Sequence, residues 1–265
     1  MFRGALFHVE PDLTMNKIIA VANQKGGVGK TTTAINLSSC LALKNRRTLL
    51  IDLDPQGMST LGLAKPKGSG QGIYQAMMNG RDLMDCILGT DLENFYISPC
   101  SPELSGIEAE LYPVERREKR LLDAVEKARR FFNFIIIDCP PSLGFLTINA
   151  LTAADSLLIP VQTEFFCMEG IPDLFQALET VRTYLNPKLA IEGILLTMFD
   201  ERTNLSKQVA EEIRKSLKNI MFEAVIPRSV RLAEAPSFGK PIILYDIKSK
   251  GAEAYLSLAE EIIRR

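Results

Sequence analysis

Histidine is almost absent from this chain. Of its 265 residues only His8 carries an imidazole, which removes Ser-His-Asp hydrolysis and His-rich metal sites from consideration. Cysteine is sparse and scattered: Cys40, Cys86, Cys100, Cys139 and Cys167 show no CxxC spacing. Metal–sulfur chemistry is therefore unsupported, and an odd set of thiols predicts reduced cysteines. No stretch reaches the roughly eighteen unbroken apolar residues of a membrane span. The arm Met1 to Thr14 has a short apolar patch but neither the long apolar core nor the small-residue cleavage site of a secretory leader, so a cytoplasmic protein is expected. Linkers rich in Pro, Gly or Ser are missing too. With 46% apolar content, the expectation is a loose extension over residues 1–14 followed by one domain over 15–265, built on a single α/β core. A net charge of −1 gives no overall attraction to DNA, so any nucleic-acid contact needs a local patch. Catalysis is left to carboxylates, lysines, backbone amides and a metal ion.

What is present centres on KIIAVANQKGGVGKTTT, Lys17 to Thr33. Ile18, Ile19 and Val21 form a β-branched run that reads as a buried parallel strand, and it leads through a glycine-rich turn into a helix predicted to open at Thr31. Without side chains at Gly26, Gly27 and Gly29, successive backbone N–H groups can converge on phosphate oxygens beside the positive end of that helix. Lys30 adds a full charge for the β- and γ-phosphates, and the Thr31 hydroxyl is placed to ligate Mg²⁺. The loop departs from G-x-x-x-x-G-K-[ST]: Gln24 stands where a glycine is usual, and Lys25 is an additional lysine at its start. In this form the loop resembles the deviant Walker A of the ParA/MinD superfamily of dimerising P-loop ATPases. The resemblance implies ATP and Mg²⁺ as ligands, held along Gly26, Gly27, Val28, Gly29, Lys30, Thr31 and Thr32, and a single-domain fold with a mostly parallel twisted sheet flanked by helices on both faces. It also implies that Lys25 reaches across a homodimer interface to the partner's nucleotide, as glue and transition-state stabiliser.

Further apolar runs supply further strands. Thr48 to Leu53 leads into Asp52 and Asp54 at the carboxyl edge, where open α/β sheets present ligands. Asp52 is expected near Thr31 and the metal. Asp54 opens DPQGMST, which resembles the family's first switch, and is the candidate that orients or activates the attacking water; an Asp-Pro turn former is the plainer alternative. Phe131 to Asp138 ends in a carboxylate resembling a Walker B aspartate, a third metal candidate. The adjoining CPPS resembles the second switch, and Cys139 within it reads as a small buried thiol. Strands are also expected over Ser156 to Val161 and Ile191 to Met198, and two helices over Ser101 to Arg130, the second from about Glu115. Between the strands, TEFFCMEG resembles a segment at the family's dimer interface, although Phe165, Phe166 and Met168 could equally be core. Met77 and Met78 read as core.

From Arg182 to Lys250 there are twelve Lys or Arg against eight Asp or Glu. That excess alone is no DNA-binding signature. However, FDERTNLSKQV and VIPRSVRLAEAPSFGKP resemble motifs of the chromosomal ParA (Soj-like) branch, whose matching arginines form a strip that binds double-stranded DNA without sequence preference. The resemblance assigns Arg202, Arg231 and Lys240 to that strip, and places Pro227 and Arg228 by the nucleotide base. It implies a nucleoid-associated ATPase that separates chromosomes or plasmids and is stimulated by a ParB-type centromere-binding partner. The ending GAEAYLSLAEEIIRR reads as an amphipathic helix packing Tyr255, Leu258 and Ile262 on the core, not as the basic lipid-inserting tail of the MinD branch.

Overall fold

The apolar runs become the middle of one sheet. In the computed structural model, which describes residues 16–67, 72–164 and 170–265, the strands are β1 (Lys17–Val21), β2 (Thr48–Asp52), β3 (Leu88–Gly89), β4 (Phe95–Ser98), β5 (Phe134–Asp138), β6 (Ser156–Gln162), β7 (Ala190–Phe199) and β8 (Met221–Pro227). Their order across the sheet is β3-β4-β2-β5-β1-β6-β7-β8. Every pairing is parallel except β3 with β4. The expected extension over 1–14 and the roles of Phe165, Phe166 and Met168 lie outside the described residues.

Side chains alternate across a strand, and here both faces are apolar. Ile18, Ala20, Leu49, Ile51, Ile135 and Ile137 point into one core cluster, and Ile19, Val21, Leu50 and Ile136 into the other. Helices cover both. They are α1 (Lys30–Leu43), α2 (Met58–Gly62), α3 (Ile73–Met78), α4 (Ile107–Leu111), α5 (Arg120–Arg129), α6 (Phe145–Ala153), α7 (Ile171–Tyr184), α8 (Asn204–Leu217), α9 (Val230–Glu234), α10 (Ile242–Tyr245) and α11 (Lys250–Arg264). Ile73, Met77, Leu121, Val125, Leu174 and Ile213 pack on the first face, and Leu37, Leu41, Tyr255, Leu258 and Ile262 on the second. The C-terminal helix thus buries the three side chains expected of it.

Several boundaries differ from the sequence reading. The helix expected from Glu115 starts at Arg120, because Arg116 adopts a left-handed φ of 54° that interrupts the preceding turn. Strand β5 begins at Phe134 rather than Phe131: the Phe131 N–H still closes onto the Ala128 carbonyl, and Asn133 spends its side-chain oxygen on the Arg47 N–H. Strands β4 and β8 were not anticipated, since four and seven residues with mixed burial leave little periodic signal.

Candidate active site

The carboxyl ends of β1, β2 and β5 meet at one point of the sheet edge, with Val21 beside Asp138 and Asp138 beside Asp52 in register. The loop after β1 turns back over this point. Gly27 (φ 76°) and Gly29 (φ 88°) both take left-handed conformations, and a Cβ at Gly26 or Gly27 would meet nothing within 4 Å. The cradle is open to a ligand. Its shape is held from behind: Asn23 Nδ2 donates to the Pro160 carbonyl at 2.7 Å, Asn23 Oδ1 accepts the Lys25 N–H at 3.0 Å, and Thr197 Oγ1 donates to the Val28 carbonyl at 2.9 Å. Helix α1 begins at Lys30, one residue before the expected Thr31, and Gly29 caps it without using a side chain. The first N–H groups of the helix are left for an anion.

Lys30 is buried, and its ammonium donates to the Lys25 carbonyl at 3.0 Å. Burial pulls its pKa down, while the charges of Asp138 and Asp54 oppose that shift. Lys25 is half-buried, and among the described residues its ammonium has no hydrogen-bond or ion-pair partner. Asp54 is also buried, and its Oδ1 accepts the Gln56 N–H at 2.9 Å while its carbonyl accepts the Gly57 N–H at 2.8 Å. It is therefore a turn former, and it also lines a cleft with Gly26, Gly27, Lys30, Thr31 and Pro141. The turn-forming alternative is thus observed.

Asp52 and Asp138 are wholly buried. Thr60 donates both its N–H (2.7 Å) and its hydroxyl (2.6 Å) to Asp52 Oδ2, and Ser59 Oγ donates to Asp138 Oδ2 at 2.7 Å. The other oxygen of each, Oδ1, is buried without a hydrogen-bond partner. Desolvation raises both carboxyls, and for Asp138 the neighbouring Asp52 adds to the rise; the hydroxyls of Ser59 and Thr31 pull Asp138 the other way. Two register neighbours that each carry an orphaned carboxylate oxygen, with the Thr31 hydroxyl beside Asp138, fit a divalent cation that keeps most of its water. Among the described residues there is no denser cluster of His, Cys, Asp or Glu that could hold a metal. Cys139 is buried and its thiol is pushed up by desolvation, as expected of an inert thiol, and Cys40, Cys86 and Cys100 are likewise buried and free.

A second, mainly apolar cleft adjoins the first. Gly29, Thr32 and Met198 line both, and the second continues over Ile226, Pro227, Arg228, Leu232 and Tyr255. Pro227 and Arg228 thus line the apolar cleft that adjoins the glycine loop. As site residues Thr197, Met198, Ser59 and Thr60 escaped the sequence reading, and Tyr255 was read there only as core. The signal for the first two was the carboxyl end of a strand, where ligands gather. Met198 also carries a left-handed φ of 52°.

The basic candidates lie on the surface. Arg202 has 85% of its side chain exposed, yet it is not a free charge: Nε and Nη2 donate to the two oxygens of Asp200 at 2.9 and 2.8 Å. Arg231 faces Glu234 at 3.2 Å and Asp246 at 3.5 Å. Lys240 is exposed with no side-chain partner among the described residues. None of the described helices is long and apolar enough to cross a membrane.

Comparison with known proteins places these features. A family model described as an AAA domain matches residues 16–191. The chain is 51% identical to the chromosome partitioning protein ParA of Myxococcus xanthus, over 99% of this chain and 94% of that one. It is 53% identical to the sporulation initiation inhibitor protein Soj of Bacillus subtilis, over 94% and 98% respectively. Among solved structures it superposes on cobyrinic acid a,c-diamide synthase from Mycobacterium smegmatis with bound ADP and magnesium, at TM-score 0.81 and 34% identity over 94% of this chain and 95% of that one. The cell division ATPase MinD of Pyrococcus furiosus matches at TM-score 0.78 and 26% identity, over 94% and 99%. With a deviant phosphate loop, paired buried carboxylates and near full-length identity of this order, the chain belongs to the ParA/Soj family of chromosome-partitioning P-loop ATPases.

Proposed function

We propose that this ATPase is a nucleotide-gated DNA-partitioning switch: ATP joins two copies, the joined pair holds DNA, and hydrolysis lets go. The observation that carries the nucleotide half is the pair of clefts sharing Gly29, Thr32 and Met198, one lined by glycines and Lys30, the other by apolar groups and Arg228. In this reading the N–H groups from Gly26 to Thr32 hold the phosphates, with Lys30 between the β- and γ-groups. Thr31, Asp138 and behind it Asp52 hold Mg²⁺, which when bound neutralises charge on the phosphate oxygens. Asp54 positions the attacking water, and the base lies between Pro227 and Arg228.

The lone Lys25 ammonium supports the dimer. A cation with no partner among the described residues of its own protomer, beside a phosphate cradle, is suited to the phosphates of a second subunit, where it stabilises charge as the γ-phosphoryl group leaves. Arg202, Arg231 and Lys240 are exposed, and pairing two protomers doubles the cations that face one duplex, so avidity compensates for a weak patch. A ParB-type partner accelerates hydrolysis and releases the DNA, which makes the ATP-bound form nucleoid-associated within the cytoplasm.

The test is DNA retention with ATP, ADP and no nucleotide, alongside sedimentation for oligomeric state. ATP alone should give both a dimer and retention. Lys25→Ala should keep ATP binding while losing the dimer and the DNA; a variant that still dimerises removes the cross-subunit role. Retention indifferent to nucleotide defeats the gate.

A further inference from the structure

The Asp54 turn is braced from outside the nucleotide cleft. Asp54-Pro55-Gln56-Gly57 is a four-residue turn closed by the Gly57 N–H on the Asp54 carbonyl at 2.8 Å, with proline and glycine at the positions such a turn prefers. The Gln56 N–H holds Asp54 Oδ1, so the orientation of the carboxylate depends on how the two peptide units of Gln56 are set. Each unit is held on its carbonyl side too. The Pro55 carbonyl faces Cys100 Sγ at 3.7 Å, and the Gln56 carbonyl accepts from Lys67 Nζ at 2.5 Å.

Lys67 is far from a casual surface contact. Its stem crosses directly over Gly57, where an added Cβ would lie 2.6 Å from Lys67 Cε and 3.2 Å from Cys100 Cβ. Gly57 itself sits at φ 64°. A glycine there meets two demands at once, the left-handed turn and the passage of the lysine. The contrast with Lys65, which makes a plain ion pair with Asp91 at 3.6 Å, is informative. Lys67 spends its ammonium on a main-chain carbonyl, at the entropic cost of ordering a long side chain.

We infer that Lys67 is a positioning residue for ATP hydrolysis: by donating to the Gln56 carbonyl it locks the turn that aims the Asp54 carboxylate into the phosphate cleft. The inference rests on the reading of Asp54 as the water-positioning group. Lys67 lies outside both clefts, so it acts on the step that uses Asp54 and not on nucleotide binding. Without the strap the 56–57 peptide can rotate, its Gly57 N–H leaves the Asp54 carbonyl, the turn opens, and the carboxylate loses its aim.

Single-turnover hydrolysis of ATP with Mg²⁺ and double-stranded DNA tests this on Lys67→Ala, Lys67→Arg and Asp54→Ala, with affinity for a fluorescent ATP analogue and the thermal midpoint measured beside it. Lys67→Ala should lose about tenfold in the hydrolysis constant, the scale of a slightly misplaced catalytic group, with affinity and midpoint unchanged. Lys67→Arg, still able to donate, should recover most of the rate. Wild-type hydrolysis by Lys67→Ala, or a parallel fall in affinity and rate, overturns the strap. If Asp54→Ala is inactive while Lys67→Ala is normal, the strap alone fails; if Asp54→Ala hydrolyses normally, the reading of Asp54 fails first.

Discussion

Two carboxylates at adjacent register positions, both wholly buried, are an electrostatic burden on the fold. Asp138 shows it most, because desolvation and the nearby Asp52 both push its carboxyl above the usual carboxylate range. A carboxyl with a raised folded-state pKa binds more protons in the native than in the unfolded state. Its contribution to stability is therefore lost as pH rises from the ordinary value, near 4, toward the raised one. In the absence of metal and nucleotide, Asp138→Asn should melt above the wild type at pH 8, with the gap closing toward pH 5. Adding Mg²⁺ and ATP should raise the wild-type midpoint more than that of the variant. Melting curves across pH read both effects, and a gap that does not change with pH would show that charge is not the cause. The burden makes sense at a cation site, where the bound ion reverses its sign.

At the scale of elements, the C-terminal helix braces the helix that carries Lys30 and Thr31. Tyr255 on α11 and Thr33 on α1 share a hydrogen bond of 3.1 Å, both residues being buried. Tyr255 also lines the apolar cleft, so this bond ties the C-terminal helix to the helix that begins at the phosphate loop. Tyr255→Phe leaves the Thr33 hydroxyl unpaired and should cost about 1 kcal/mol, roughly 2 °C in a domain of this size. Scanning calorimetry measures it; an unchanged midpoint would mean that the hydroxyl pair contributes nothing. β1, β2 and β5 were legible because each is an uninterrupted apolar run ending beside Gly or Asp. Between β4 and β5 the two expected helices are there, as α4 and α5, but their ends and the 3₁₀ turns were not legible, since these depend on single conformations such as Arg116.

At the scale of the molecule, the surface charge is arranged differently from a simple count of arginines. Arg202 and Arg231 are exposed but each faces a carboxylate of its own loop or neighbour, Asp200 for one, Glu234 and Asp246 for the other. In the proposed DNA-bound state a phosphate would have to compete with those acids. Asp200→Asn should therefore strengthen ATP-dependent DNA retention at low salt, and Arg231→Glu should abolish it while leaving the dimer intact. Retention unchanged in both would remove this strip from the DNA-binding account. The sequence by itself determined the strand-loop-helix that opens the cradle, the order of the parallel strands' apolar runs, and the residue types from Gly26 to Thr32, because local backbone freedom and hydrophobic alternation are written residue by residue. Only the tertiary structure decided that Asp52 and Asp138 stand side by side with orphaned oxygens, that Met198 and Pro227 wall a cleft beside Gly29, and that Lys67 crosses Gly57. Those are distances between elements far apart in the chain, and they arise from how the sheet orders its strands and how two helical layers close over it.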